Sequence, residues 1–263
     1  MIKSIKSILR NFLPGRIRTH RIWSGLLRGK RIVTSWHDYP AAIIGYTERP
    51  LLDWFAQNVK PGETWLDIGA HYGYTAIALS RLVGESGRVF AFEPMLSSAG
   101  YVTQTRRLNK FHQLTVVPYG LAAPETVEII SLPVTRGMVD STIDRTSDDG
   151  HRAEWLETIT VARFDWLWTR ICGNEPRIDG VKIDVQGMEI DVLTGMMDTL
   201  RSAHPKLVVE LHRGVDREKF LHTIELAGYA CDAIPIEPVE GEVSPLYMDD
   251  HSYFFHKQNE AGR

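Results

Sequence analysis

Between Thr64 and Pro94 the chain sets two acids and two glycines in an order that could hold a small organic ligand. The turn reads Asp67-Ile68-Gly69-Ala70-His71-Tyr72-Gly73-Tyr74, after a short apolar run and before a helical pattern. Gly69 lacks the Cβ that would block a ligand's close approach. Gly73 would let the next helix begin close against the sheet, and that helix start offers free N–H groups and a positive dipole. A nicotinamide dinucleotide fingerprint would be G-x-G-x-x-G. Its second glycine is His71 here, whose side chain would obstruct a pyrophosphate. The spacing is instead D-x-G-x-x-x-G. An acid at its head suits a ligand with positive charge and no phosphate, and the ammonium and sulfonium of S-adenosylmethionine fit that description. Glu93 ends the next apolar run, roughly 20 residues past the loop, where a carboxylate accepts both hydroxyls of a ribose. Pro94 fixes the turn after it.

With such a donor, transfer of its methyl group to an acceptor would be an in-line displacement. It needs donor and acceptor held in alignment and gains roughly 10²–10⁴-fold from a base that takes the acceptor's proton. Candidates lie where apolar runs end: Asp184 beside Gln186-Gly187, Glu189 opening a helix, and Glu210 and His212. We expect Asp184 to be the base or to orient the acceptor, with Glu189 and Glu210 shaping the site. His212 and His71 are alternative bases, because histidine titrates near neutral pH. Blander readings exist for each. Glu189 could be a helix-start acid favoured by the dipole, and Lys182 and Asp184, alternating on one strand face, could be a structural ion pair. The carboxylates are compatible with a divalent metal, but no ligand spacing requires one, and a metal-free site is expected. Trp155, Trp166 and Trp168 would either stack on a sugar ring or belong to the core.

The elements that would position these groups follow a regular pattern. Helices are expected over Leu51–Val59, Tyr74–Val83, about 95–109, Met188 to about Ser202 and Val215–Ala227. Strands are expected over Thr64–Ile68, Arg88–Phe92, Leu114–Pro118, Val181–Val185 and Lys206–Leu211, with two more near 230–236 and 252–256. Their alternation argues for a parallel sheet with helices on both faces. Thr126–Leu132 and Thr158–Ala162 also look like strands. The polar stretch between them, about 133–157, reads as a flap near the substrate. Residues 16–50 show no clear pattern.

The 263 residues suffice for one large domain, and 43% hydrophobic and 24% charged residues are an ordinary globular composition. A net charge of −3 gives no general pull toward nucleic acid. Residues 1–35 nevertheless carry nine Lys or Arg and no acid, leaving −12 on the remainder. Ile2, Ile5, Ile8, Leu9, Phe12 and Leu13 recur at helical spacing opposite Lys3, Lys6 and Arg10. That segment reads as a short helix packed on the domain or frayed, and alternatively as a peripheral membrane contact through residues 1–13. Cys172 and Cys231 have no metal-like spacing. With no secretory or transmembrane signal, a cytoplasmic location is expected.

Two ordered segments carry a resemblance. TWLDIGAHYGYTAIALSRLVGESGRVFAFEP, followed by VKIDVQGMEIDVLTGMMDTLRSAHPKLVVELH, resembles the FkbM methyltransferases. The likeness runs over roughly residues 46–230 and includes Tyr46, Glu48, Lys60-Pro61-Gly62 and Gly228-Tyr229. It implies an α/β class I methyltransferase fold, a Rossmann-like, doubly wound seven-stranded sheet whose last strand is antiparallel. Residues 1–50 would then be an N-terminal basic, helical extension and 51–263 the S-adenosylmethionine-dependent domain. The resemblance also implies O-methylation of a sugar, glycan or natural-product hydroxyl. The cofactor would be held by Asp67, Gly69, Ala70, His71, Tyr72, Gly73, Glu93 and Pro94, with Leu121 near the adenine. Two positions depart from the family pattern, His71 in place of Asn and Gln186 in place of Glu. The second removes a carboxylate near the reaction centre. Two other readings are a nicotinamide oxidoreductase, which His71 argues against, and a non-catalytic S-adenosylmethionine-binding module recruited to a membrane or partner, which Gln186 favours.

Overall fold

The computed structural model describes residues 13–135, 138–139, 155–173, 177–238 and 248–258. Two short strands, β1 (Arg18–Arg21) and β2 (Arg31–Thr34), precede α1 (Pro40–Ile44) and α2 (Arg49–Asn58). Then come β3 (Thr64–Ile68), α3 (Tyr74–Val83), β4 (Arg88–Phe92), α4 (Leu96–Asn109) and β5 (Leu114–Val117). The middle holds β6 (Gly120–Ala122), β7 (Val127–Thr135), β8 (Met138–Val139), β9 (Trp155–Arg163) and α5 (Phe164–Ile171). After it follow β10 (Gly180–Ile183), α6 (Glu189–Gly195), α7 (Met197–Ala203), β11 (Lys206–Leu211), α8 (Arg217–Leu226), β12 (Ile234–Pro235) and β13 (His251–Phe255).

The main sheet has seven strands in the order β12-β13-β11-β10-β3-β4-β5. From β11 to β5 every pairing is parallel, and β13 runs antiparallel to β11. The apolar runs explain why the sheet is covered on both sides. Side chains alternate along a strand. Leu66, Ile68, Phe90, Phe92, Leu207 and Val209 enter one buried cluster with α5, α6 and α8. Trp65, Val89, Ala91 and Val208, one residue out of phase, enter the other with α2 and α3. A separate sheet of order β6-β9-β7-β8 stands beside the main one. It is built on the antiparallel pairing of β7 with β9, which runs from Val127↔Ala162 to Val134↔Trp155.

The strands and helices of the parallel sheet lie where the sequence pattern puts them, within a residue or two. Three local expectations change. The single helix expected over 188–202 is two helices, broken at Met196 with φ −119°. Just before the break Gly195 packs on the Ala122 carbonyl, which a Cβ would meet at 1.9 Å. The middle strands outrun the polar pattern, because β7 reaches Thr135 and β9 begins at Trp155 once the two pair. The helix α5 was not anticipated. Of its tryptophans, Trp168 is buried against Phe90 and Phe164, while Trp166 lies beneath the Arg170 guanidinium. Trp155 on β9 is exposed. The helix expected from Ile2 to Leu13 falls, Leu13 apart, outside the described residues, as does most of the 133–157 stretch.

Residues 17–45 share the core of the rest. Ile22, Leu27, Ile32 and Ala42 are buried in the same cluster as Leu51, Phe55 and Val102. The hairpin is tied to α4 by Val33 N–H donating to Thr105 Oγ1 at 2.9 Å and by Asn109, which both accepts from and donates to the Arg31 backbone. Leu27→Ala removes a wholly buried side chain and is expected to cost about 2–5 kcal/mol. In chemical denaturation the whole transition moves to lower denaturant. An unmoved main transition would make the hairpin an appendage.

Candidate active site

In an open parallel sheet a crevice opens beyond the carboxyl ends of the strands where the strand order reverses. Here that point lies between β3 and β10, and a cavity of about 300 Å³ occupies it. Its floor is the turn after β3, with Gly69, Ala70 and His71. Glu93 and Pro94 after β4 form one side, and Asp184 after β10 and Glu210 on β11 form another. Leu121, Ile159 and Val161 of the second sheet make an apolar wall.

Gly69 has φ +81°, and a Cβ on it would lie 1.7 Å from the Asp184 carbonyl oxygen. Glycine is therefore required by the neighbouring loop already, before any ligand is considered. Gly73, φ +82°, starts α3 close against Val102 of α4, whose Cγ1 a Cβ would meet at 2.9 Å. Both oxygens of the buried Glu93 accept backbone N–H groups, Oε2 from His71 at 2.7 Å and Oε1 from Met95 at 3.0 Å. The carboxylate thus fastens the β3 turn to the β4 turn and still presents lone pairs to the cavity. Burial pushes Glu93 up to about 7, against those two hydrogen bonds and Lys182, which favour the charged form.

Lys182 is the centre of the arrangement. It stands opposite Asp67 in the β10–β3 register. Its buried ammonium lies 3.1 Å from Asp184 Oδ2, 3.3 Å from Asp67 Oδ1 and 3.3 Å from the Gly69 carbonyl. Burial alone would drive off its proton. Asp184, Asp67, Glu48 and Glu210 outweigh that and hold it above the ordinary lysine value. The contact to Asp67 is an ion pair without hydrogen-bond alignment, and the other Asp67 oxygen accepts from Thr75 Oγ1 at 2.7 Å.

Asp67, Tyr72 and Gly73, expected to touch the cofactor, do not line the cavity. Asp67 is fully buried behind the turn, with its charge spent on Lys182. The Tyr72 hydroxyl donates to Asp38 Oδ2 at 3.2 Å and its ring stacks on Tyr101. Gly69, Ala70, His71, Glu93, Pro94 and Leu121 do line it. Sequence reasoning left Lys182 as a structural ion pair, noted Glu48 without a role and passed over Asp38 and Tyr39, although all four line the cavity. The lysine, alternating with Asp184 inside an apolar strand, was the signal available.

Among the catalytic candidates, Asp184 and Glu210 face the cavity, and Glu189 and His212 stand behind it. Glu189 is fully buried, and its Oε1 takes hydrogen bonds from His212 Nδ1 at 2.6 Å and Gly187 N–H at 3.1 Å. The far ring nitrogen of His212 lies 2.7 Å from the Gln186 amide, 3.4 Å from Asp184 Oδ1 and 3.6 Å from Glu210 Oε1. Burial would lower His212. The Glu189 hydrogen bond and the charges of Asp184, Glu189 and Glu210 instead raise it to about 9. These contacts favour the protonated ring, which stands against His212 as a base. The Gln186 atom at 2.7 Å is the amide nitrogen, so a protonated ring requires that amide turned over to present its oxygen. His71 goes the other way. Burial lowers it to about 4, so it is neutral, and its buried Nε2 has no partner among the described residues. Lys182 and His212 hold Asp184 below its ordinary value despite burial. Burial, then Asp184 and Glu48, push Glu210 up to about 8, opposed by His212 and Lys182.

Asp184, Glu210 and His212 offer one ligand atom each within 4.8 Å of one another, a spacing that a divalent cation could bridge. The Lys182 ammonium and the His212 ring already stand against these carboxylates. The cavity's described lining carries five carboxyl side chains, Asp38, Glu48, Glu93, Asp184 and Glu210, against the single ammonium of Lys182. An organic cation suits such a wall, and a phosphate does not. The residues present thus fit the ammonium, sulfonium and ribose diol of S-adenosylmethionine.

Residues 67–233 match the Methyltransferase FkbM domain family. The hexuronic acid methyltransferase AglP of Haloferax volcanii is 24% identical over 176 residues, and the match spans 64% of this chain and 64% of that protein. Two solved structures are similar in outline. The FkbM methyltransferase of Methylobacillus flagellatus KT has TM-score 0.47 and 18% identity, covering 83% of this chain and 54% of that one. An S-adenosylmethionine-dependent O-methyltransferase of Thermotoga maritima has TM-score 0.48 and 15% identity, covering 95% and 80%. The strand order described above, with its last strand antiparallel, is the class I methyltransferase arrangement.

The placement of His212 has a measurable consequence. A ring raised to about 9 from an unfolded value near 6.5 adds stability that is full below pH 6.5 and is lost as pH rises through 9. Followed by NMR, the His212 ring protons titrate near 9 in the wild type. Glu189→Gln, which removes the charge and keeps the shape, moves the midpoint down toward the ordinary histidine value. A midpoint that stays put would exclude Glu189 as the cause.

Proposed function

Because the chain belongs to the FkbM methyltransferase family and S-adenosylmethionine is its cofactor, we propose that it methylates a hydroxyl group on a sugar, glycan or other small natural product. The observation that carries this reading is Glu93, a buried carboxylate on the cavity wall held by two backbone amides beside the Gly69–Ala70 turn. Its remaining lone pairs would accept the ribose hydroxyls. The acidic lining would take the ammonium, with neutral His71 offering Nε2 as a further acceptor. When bound, the cofactor supplies an electrophilic methyl group and leaves as a neutral thioether.

The protein's own part is positioning and proton removal. Glu210 is the better placed base. Its value near 8 lies close to working pH, where a general base is most effective. Asp184, held ionised by Lys182 and His212, would orient the acceptor hydroxyl. Glu189 would act through His212 as a positioning residue. Lys182 and His212 supply the positive charge that a metal would otherwise bring, so the reading is metal-free. The hexuronic acid substrate named for the Haloferax relative supports a sugar acceptor. The binding-only alternative rested on Gln186, but Asp184 and Glu210 remain on the wall without a carboxylate there.

Two measurements test this. In calorimetric titration, S-adenosylhomocysteine binds the wild type and NAD does not. Glu93→Ala, with folding checked by thermal melting, weakens binding about 100-fold, the loss expected for two hydrogen bonds to a charged group. Wild-type protein that melts normally and binds nothing would sink the proposal. Once an acceptor is in hand, kcat/KM in the presence of chelator should rise with pH through about 8, as the Glu210 carboxylate forms in the free enzyme. Asp184 on β10, Glu48 at the start of α2, Lys182 and His212 are the charges that set that midpoint. Glu210→Gln flattens the limb and lowers the plateau by roughly 10²-fold or more. Loss of activity in chelator would restore the metal.

A further inference from the structure

A second cavity, of about 440 Å³, adjoins the first. The two share Glu48 and Glu210, so these side chains form a common wall. The second cavity is framed by the turn before α2, the segment after β12 and the start of β13. An in-line transfer needs the acceptor on the side of the methyl group opposite the departing sulfur. A cavity that meets the first at the proposed base gives an acceptor hydroxyl access to that base.

We propose that this second cavity is the acceptor site, and that it takes a neutral, hydroxyl-rich ring, a sugar unit without a carboxylate. The inference rests on the methyltransferase reading and adds where the acceptor sits and what charge it carries. Tyr46 stands at the cavity with 69% of its surface exposed, an aromatic face available for the apolar side of a sugar ring. Among the described lining residues, carboxyl groups outnumber fixed cations, with Glu48, Glu210, Glu237 and Asp250 against Arg49 and with His251 beside them. Arg49 is itself drawn to Asp53, 3.9 Å away. The exposed Glu237 and Asp250 are the charges that repel another carboxylate here, while Glu48 and Glu210, raised by burial, hydrogen-bond adjacent hydroxyls in either protonation state. Ser252 lies on this wall too, with its hydroxyl donating to Glu210 Oε2 at 3.3 Å. One residue therefore links the sugar side to the proposed base. By this lining the chain differs in preference from its Haloferax relative, which is named for a hexuronic acid.

The test uses the full chain saturated with S-adenosylhomocysteine, whose binding is first confirmed by calorimetry. If that fails on folded protein, the methyltransferase reading falls before the acceptor question is reached. Saturation-transfer NMR is then run with the methyl glycosides of glucose, galactose and mannose and with the methyl glycosides of glucuronic and galacturonic acid. At least one neutral glycoside is expected to receive magnetisation, and both uronides are expected to stay silent. Tyr46→Ala lowers the neutral signal about fivefold and leaves S-adenosylhomocysteine binding unchanged. The double variant Glu237→Gln, Asp250→Asn admits the uronides. Uronides that bind the wild type as well as the neutral sugars overturn the proposal. So does a neutral signal indifferent to Tyr46→Ala, or silence from every neutral glycoside on cofactor-loaded protein.

Discussion

The buried ammonium of Lys182 joins the two halves of the sheet at the point where the cavity must form. A lysine inside an apolar strand would be costly if left alone, because desolvating a charge is worth several kcal/mol and only close partners offset it. Asp67 and Asp184 are those partners, one on each side of the strand junction. The same ammonium holds the Gly69 carbonyl. The turn after β3 and the end of β10 are thereby drawn so close that Gly69 has no room for a side chain. Every cavity-facing group on these two loops takes its position from that junction.

Around this junction negative charge exceeds positive charge, and the excess is distributed in an ordered way. Asp184 stays ionised because Lys182 and His212 face it. Glu210, buried and facing the charges of Asp184 and Glu48, keeps its proton to higher pH. His212 retains its proton because Glu189 holds its inner nitrogen in a fully buried hydrogen bond. Two carboxylates a few ångströms apart are thus driven to different protonation behaviour by environment alone, which is how one site provides both a fixed anion and a titrating base. A cationic cofactor entering such a wall would bring Glu210 back down from about 8, since a positive charge nearby favours the carboxylate. Its binding therefore readies the base.

What was legible in the sequence was local. The order strand, Gly69 turn, helix, strand, Glu93 is carried by one stretch of chain, and periodicity and turn residues specify it directly. Glu93 stands on the cavity wall for the same reason, being an acid at the end of an apolar run. What was not legible depends on which way a side chain points once strands pair. The β3–β10 register sets Asp67 against Lys182, and Asp67 does not line the cavity. The sequence neighbours of His212, an alternative base, do not reveal Glu189, 23 residues earlier, beneath it. The segment from Ile17 to Gly45 is as apolar as the rest of the chain, but its apolar residues follow no single period. Its hairpin and short helix exist because Ile22, Leu27, Ile32 and Ala42 find a core supplied by later parts of the chain.

Glu93 shows why architecture and ligand binding need not compete for one residue. A buried carboxylate has more acceptor positions than the two backbone amides of His71 and Met95 can fill. Without those amides it would be an uncompensated buried charge, and without the carboxylate two turn N–H groups would lose their partners. The turns after β3 and β4 are therefore locked together before any ligand arrives, with the unused lone pairs directed by the same bonds that hold the turns. Burial raises Glu93 to about 7, close to giving up its charge, and the hydroxyls of a bound ribose would donate to the charged form and hold it there. On this view the resting site is poised slightly short of full ionisation, and ligand binding completes both its hydrogen bonding and its charge.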